Sequence, residues 1–119
     1  MWLLYVGWFL SLLGVLPLIV GGFLNIFRVL VMVNNMEHVG YSPTILPSFG
    51  AIKILIATLS LIPSTSFVGV ILATGWMGGA ISAHVRVKDQ YLVQVIIPVL
   101  IWIGFGLRHQ SAMHSLLGL

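Results

Sequence analysis

Charge is what this sequence has least of. Five Lys or Arg and two Asp or Glu make up 6% of its 119 residues, where a soluble domain carries about 25%. So few charges cannot cover a folded surface in water, which excludes a free-standing soluble domain. Cysteine is absent, which excludes disulfides, thiolate metal sites and CxxC redox chemistry by this chain. No nucleotide loop and no haem-ligand pair is present. The four histidines form no HxxxH pair and no carboxylate–histidine spacing, so neither a metal nor a nucleotide cofactor is expected. Alternating strands of about ten residues are also missing, which argues against a membrane barrel.

What fills the sequence is hydrocarbon. Hydrophobic residues make up 60% of it and the mean hydropathy is +1.16. Crossing the apolar core of a bilayer takes about 20 residues per helix, so the length accommodates four spans and no soluble domain of useful size. Residues 2–24 form the first, an apolar run with Trp2, Tyr5 and Trp8 near its start, as an interfacial aromatic belt would place them. No basic segment precedes it and no small-residue cleavage site follows, so it is expected to be retained rather than removed as a signal peptide. Pro17 lies within it. Residues 25–46 form a polar or interfacial connection whose first part, NIFRVLVMV, either prolongs the first helix or turns along the interface, with Asn34 and Asn35 as helix breakers. Spans at 47–62, 66–85 and 91–107 follow, the last containing Pro98. The expected fold is an all-α integral membrane four-helix bundle of antiparallel helices, a single transmembrane domain over 1–119.

Four spans put both termini on one side. The opposite side then collects Arg28, Glu37, His38, His84, Arg86, Lys88 and Asp89, with Lys53 entering the second span from that side, while the termini side has Arg108, His109 and His114. The excess of Lys and Arg places the two polar connections in the cytoplasm and both termini outside, in a multi-pass protein of the inner (plasma) membrane. The net charge of +3 suits contact with anionic lipid and gives no reason to expect nucleic acid.

Lys53 lies about 9 Å into its span. It can snorkel back to the interface, or it can face the bundle interior and meet a partner there. Lys53, His84, Arg86, Arg28 and Glu37 are the candidate ligand-binding residues, with Glu37, a bound anion or a polar ligand group as the partner of Lys53. No catalytic set is expected. A second pattern concerns packing. Gly75, Gly79 and Ala83 recur every four residues in the third span, and Gly7, Ser11 and Gly14 form a similar face in the first. Such faces let helices approach closely, here within the bundle or against another subunit.

The order GYSP, FGAIKILIATLSLIP, GVILATGWMGGAISAHVRVKD and a final span ending in GLRHQ resembles the DoxX-like family of small four-helix bacterial membrane proteins, from about residue 20 onward. The points of resemblance are Gly40–Tyr41 in the turn, the ionisable Lys53 early in the second span, and Gly79–Ala80 with His84 closing the third. Ser42 departs from the pattern by standing before Pro43, and Lys53 stands where many relatives carry glutamate, so their chemistry at that position is not carried over. The resemblance implies the fold, and it links some relatives to thiosulfate–quinone oxidoreduction and oxidative-stress complexes. Two functions are therefore expected to compete. One is a non-catalytic accessory subunit packed against a larger, redox-linked membrane complex or against itself. The other is a protein that binds a quinone or an anionic lipid at the Lys/His/Arg cluster. A small transporter is a weaker third, because four helices leave little room for a pore.

Overall fold

A computed structural model describes residues 1–118. Its elements are α1 (Trp2–Ile26), α2 (Leu30–His38), a 3-10 turn (Pro43–Ile45), α3 (Leu46–Leu61), α4 (Ser66–Arg86), α5 (Leu92–Arg108) and α6 (Gln110–Leu116). Apolar runs of this length become helices because a helix satisfies its own backbone groups, which hydrocarbon cannot do. Pro47 sits in the first turn of α3, where its missing N–H costs nothing.

Three helices end in the same way at one end of the molecule. Arg28 (φ 53°), Gly40 (φ 91°) and Lys88 (φ 62°) are left-handed. The next N–H in each case reaches back to a carbonyl five residues earlier: Val29 to Leu24, Tyr41 to Met36 and Asp89 to His84, at 3.1, 3.0 and 2.9 Å. This closure satisfies carbonyls that the last turn leaves open.

α1 packs beside α3 and α5, and α4 packs beside the same two, so the four long helices form a ring with α1 and α4 on one diagonal. Neighbours are antiparallel. A Cβ on Gly7 would sit 2.9 Å from Leu107, and one on Gly14 would sit 2.8 Å from Ile101. At the other end of α1, a Cβ on Gly22 would meet Ile54 at 2.7 Å. Gly104 faces Ser11, and Gly69 rests on the backbone of Ser60. The termini side of the bundle is thus closed by backbone-to-backbone approaches. Val15, Ile56, Val70, Ile101 and Phe105 are buried between the helices. Large apolar side chains such as Phe9, Leu12, Leu55, Val68 and Val99 point outward, as a lipid-facing surface requires. This is an all-α membrane protein.

α1, the segment Pro43–Leu61 and α4, of 25, 19 and 21 residues, are each long and apolar enough to cross a membrane. α5 has 17 residues, about 25 Å of helix, and turns by 111° into α6.

The connection at 25–46 departs from its expected form at Asn34 and Asn35. α1 runs on to Ile26, and Asn25 is buried inside its last turn at 3% exposure. Asn34 and Asn35 do not break a helix but lie within α2. The reason is that α2 has a surface to cover: Met36 and Val39 pack with Leu46 into a second small core. The tertiary contact overrides the weak helix preference of asparagine.

Candidate functional site

Away from the termini side, the ring does not close. A cavity of about 470 Å³ lies among α1, α2, α3, α4 and α5, within the range of small-molecule sites. Its walls are mostly apolar, with Leu18, Met36, Leu46, Met77 and Ile97 among them, and they carry Lys53, His84, Asn25, Asn35, Tyr41 and Gln94 as polar groups. Phe49 stands edge-on between Trp76 and Tyr41, with ring centroids 4.9 and 6.0 Å away.

Lys53 projects from the second turn of α3 into this space. With its amide oriented to donate to the Gly21 carbonyl at 3.2 Å, Asn25 turns its oxygen to Lys53 Nζ, also at 3.2 Å. An ammonium has three donors, and among the described residues no carboxylate is paired with it. The chain has two acidic residues. Glu37 is exposed on α2 and lines no part of the cavity, and Asp89 pairs with His38 at 2.8 Å. Glu37 is therefore not the partner of Lys53: α2 turns its Met32, Asn35, Met36 and Val39 side to the cavity and its Glu37 side away.

His84 lies one helical turn above Ala80, and its Nδ1 donates to the Ala80 carbonyl at 2.8 Å. In the neutral ring this leaves Nε2 as an acceptor toward a ligand, and in the charged ring as a donor. The cavity thus offers an amine donor at Lys53 and an adaptable nitrogen at His84.

Arg86 and Arg28 stand outside the cavity. Arg86 donates to the Val39 carbonyl and lies 6.0 Å from the Tyr41 ring centroid. It fastens the end of α2 to α4. The same contact gives Gly40 its role, since a Cβ there would come within 3.1 Å of the guanidinium and would have to accept φ 91°. The His38–Asp89 pair makes a second fastening between α2 and the α4–α5 loop. Arg28 occupies the exposed left-handed turn between α1 and α2. Arg86 thus positions the roof of the cavity, and neither arginine lines it.

The glycine ridge of α4 requires a correction as well. Gly75, Gly79 and Ala83 do recur on one face, and Ala83 packs against the Met36–Val39–Leu46 cluster, but a Cβ on Gly75, Gly78 or Gly79 would meet nothing within 4 Å. Gly75, Gly79 and Ala83 line the cavity instead. Close packing falls to Gly7, Ser11 and Gly14 of α1, which meet α5.

At the closed end Arg108 reaches between helices. Its Nη2 donates to the Ser60 carbonyl (2.9 Å) and Ser66 Oγ (3.2 Å), and its guanidinium lies 4.4 Å from the Trp8 ring centroid. Asn25, Asn35, Gln94 and Arg108 carried no pattern that would have marked them in the sequence, because each acquires its role from helices distant in the chain. Among the described residues, no group of three or more His, Asp or Glu side chains is placed to hold a metal. The profile of the DoxX-like family matches residues 5–105. No curated protein and no solved structure matches the chain.

Proposed function

The chain belongs to the DoxX-like family, and from that premise we propose that it is a membrane-embedded binding protein. It holds a small amphipathic ligand whose carbonyl or anionic head meets Lys53. A quinone and an anionic lipid both fit this description. The observation that carries the reading is the Lys53 amine, facing an apolar cavity of about 470 Å³ with an amide as its neighbour and, among the described residues, no carboxylate beside it. An ionisable group in such a place is matched by a partner, and here the partner has to come from outside. The aromatic wall of Trp76, Phe49 and Tyr41 suits a flat or hydrocarbon body beside that head. The chain supplies binding and orientation, and any redox step belongs to the ligand or to a neighbouring protein.

The test is equilibrium binding of decylubiquinone and of phosphatidylglycerol to the purified chain, compared with Lys53→Met and His84→Ala. Lys53→Met is expected to weaken binding of the true ligand class by about tenfold or more, the scale of a lost charge-assisted bond, with unchanged yield and Tm. His84→Ala has a smaller effect. Equal binding by all three proteins overturns the reading.

A second reading, the accessory subunit, draws on the unpartnered glycines of α4, a surface on which another transmembrane helix could lie. It requires a stoichiometric partner that co-purifies in mild detergent and is lost with Gly78→Leu. The orientation follows from charge: with Arg28, Lys53, Arg86 and Lys88 at the cavity end and Arg108 at the other, the cavity end faces the cytoplasm of a bacterial inner membrane and both termini face outward. An alkaline phosphatase fused to the C-terminus is then active, and an inactive fusion reverses the assignment.

A further inference from the structure

α2 crosses the open end of the ring. It starts just beyond Ile26, where α1 ends, and its far end is tied to α4 by the bond from Arg86 to the Val39 carbonyl. α1 and α4 lie on one diagonal of the ring. Neighbouring helices about 10 Å apart make that diagonal about 14 Å. The nine residues of α2 make a helix of about 14 Å, so it is long enough to reach from one corner to the other. Its underside packs with Leu46, Ala83 and Val87 through Met36 and Val39. Met32 reaches further in. A Cβ on Gly21 would meet the Met32 methyl at 3.8 Å and Lys53 Nζ at 3.5 Å. α2 is therefore a lid, and Met32 stands beside the amine that it covers.

The two ends of the lid are held differently. The far end has the Arg86 bond and the His38–Asp89 pair. At the start, Leu30 to Val33 are all apolar, and Phe27, Leu30 and Val31 are 74%, 71% and 54% exposed. These side chains continue a strip that begins on α1, where Leu16, Val20 and Phe23 face outward at helical spacing. Arg28 stands in that strip, exposed, as the only charged side chain between Trp2 and Met36. A Cβ on Gly22 would meet Ile54, and one on Gly50 would meet Asn25 and Ile26. This register sets Phe27 level with the first turn of α3, at the edge of the hydrocarbon layer. An apolar strip that ends on an arginine at that depth matches the layer where acyl chains give way to head groups. Its charge selects anionic head groups.

We infer that the start of α2 is seated in the head-group layer of an anionic leaflet. Phe27, Leu30 and Val31 enter the acyl border and Arg28 meets the phosphates. The seat holds down the end of the lid that the protein leaves unfastened, and so controls access to Lys53. It is independent of what the cavity binds.

The test uses the full chain in nanodiscs. The chain has no cysteine, so an introduced thiol reports alone. A bimane on Leu30→Cys is expected to be quenched by lipids brominated near the head group and not by aqueous iodide, and one on Glu37→Cys by iodide. Quenching of the first label by iodide overturns the inference. Shielding from both quenchers does so too, since a second copy or another protein then covers the strip. A second readout is the rate at which a water-soluble maleimide modifies Met32→Cys. The rate should rise about fivefold from phosphatidylglycerol to phosphatidylcholine, the scale of one basic residue at an anionic surface. Adding Arg28→Asn, which tolerates the left-handed backbone, should remove that difference. Adding Leu30→Glu should speed modification by about tenfold or more in either lipid, the scale of one large apolar side chain unseated. Equal rates throughout overturn the inference. If phosphatidylglycerol protects the Arg28→Asn chain as well as the wild type, the lipid acts as a ligand in the cavity, so the seat is rejected while the Lys53 site stands.

Discussion

Two sets of glycines in this bundle serve opposite purposes: the α1–α3 and termini-end glycines, Gly22 and Gly50 among them, admit a neighbouring helix, while those of α4 near the cavity stand open. At the termini end, Gly7, Gly14, Gly69 and Gly104 each admit a neighbouring helix, and adding a Cβ brings it into backbone or side-chain atoms. At the cavity end, Gly75, Gly78 and Gly79 admit nothing. Their absent side chains leave volume. The cations differ in parallel. Arg108 is bonded to Ser60 and Ser66 and stacked on Trp8, whereas Lys53 has Asn25 for a neighbour and open space beyond. One end is built for fixity and the other for an occupant. Glycine in a membrane helix thus marks a place where something other than a side chain is wanted, and the trajectory of the neighbour decides whether that is backbone or space.

The sharpest way to break the comparison is to add volume at the closed end. Gly69→Leu should cost about 3 kcal/mol or more, read as loss of a monodisperse folded species, because the Cβ would enter the Ser60 backbone. Arg108→Met comes next. It removes two charge-assisted bonds, offset in part by relief of a desolvated charge, for a net loss of about 1 kcal/mol and a lower Tm. Lys53→Met should not lower Tm at all, since what it removes serves a ligand.

Gly79→Ala should raise Tm slightly, by about 0.5 kcal/mol of stability, because the added methyl is unopposed and the unfolded chain loses freedom. A clear decrease would restore the packing role that its spacing suggests. Smallest of all is Asp89→Asn. Its pair with His38 is substantially exposed and contributes about 0.5 kcal/mol or less, so Tm stays within error. Faster hydrogen exchange confined to α2 would be the detectable consequence, since that pair helps hold the roof.

The chain's composition and its resemblance made the fold legible. The GYSP turn and the GGAISAH stretch pointed to the family that the match over residues 5–105 shows, and the pairing of Lys53 with His84 at one end follows once four antiparallel helices are assumed. Arg86, Arg28 and Glu37 stand outside the cavity, because clustering along a sequence says which end a residue occupies and not which way it faces. Asn25 went unremarked because an asparagine at the end of an apolar run reads as the start of a loop. It is a buried neighbour of Lys53 because α1 packs on α3 at Gly50, whose Cβ position lies 3.0 Å from Asn25.

What the sequence determined by itself is the solvent, the long helices and the polarity of the two ends. Too little charge for water, apolar runs of membrane length and an uneven distribution of Lys and Arg are each readable residue by residue, because they depend on transfer energies and local backbone needs. What only the tertiary structure decided is where the helices touch and where they part. Asn25 becomes a neighbour of Lys53, and Gly79 becomes a space and not a contact, through the antiparallel register of helices far apart in the chain. Space between helices is a property of pairs of surfaces, and no single segment of sequence contains it.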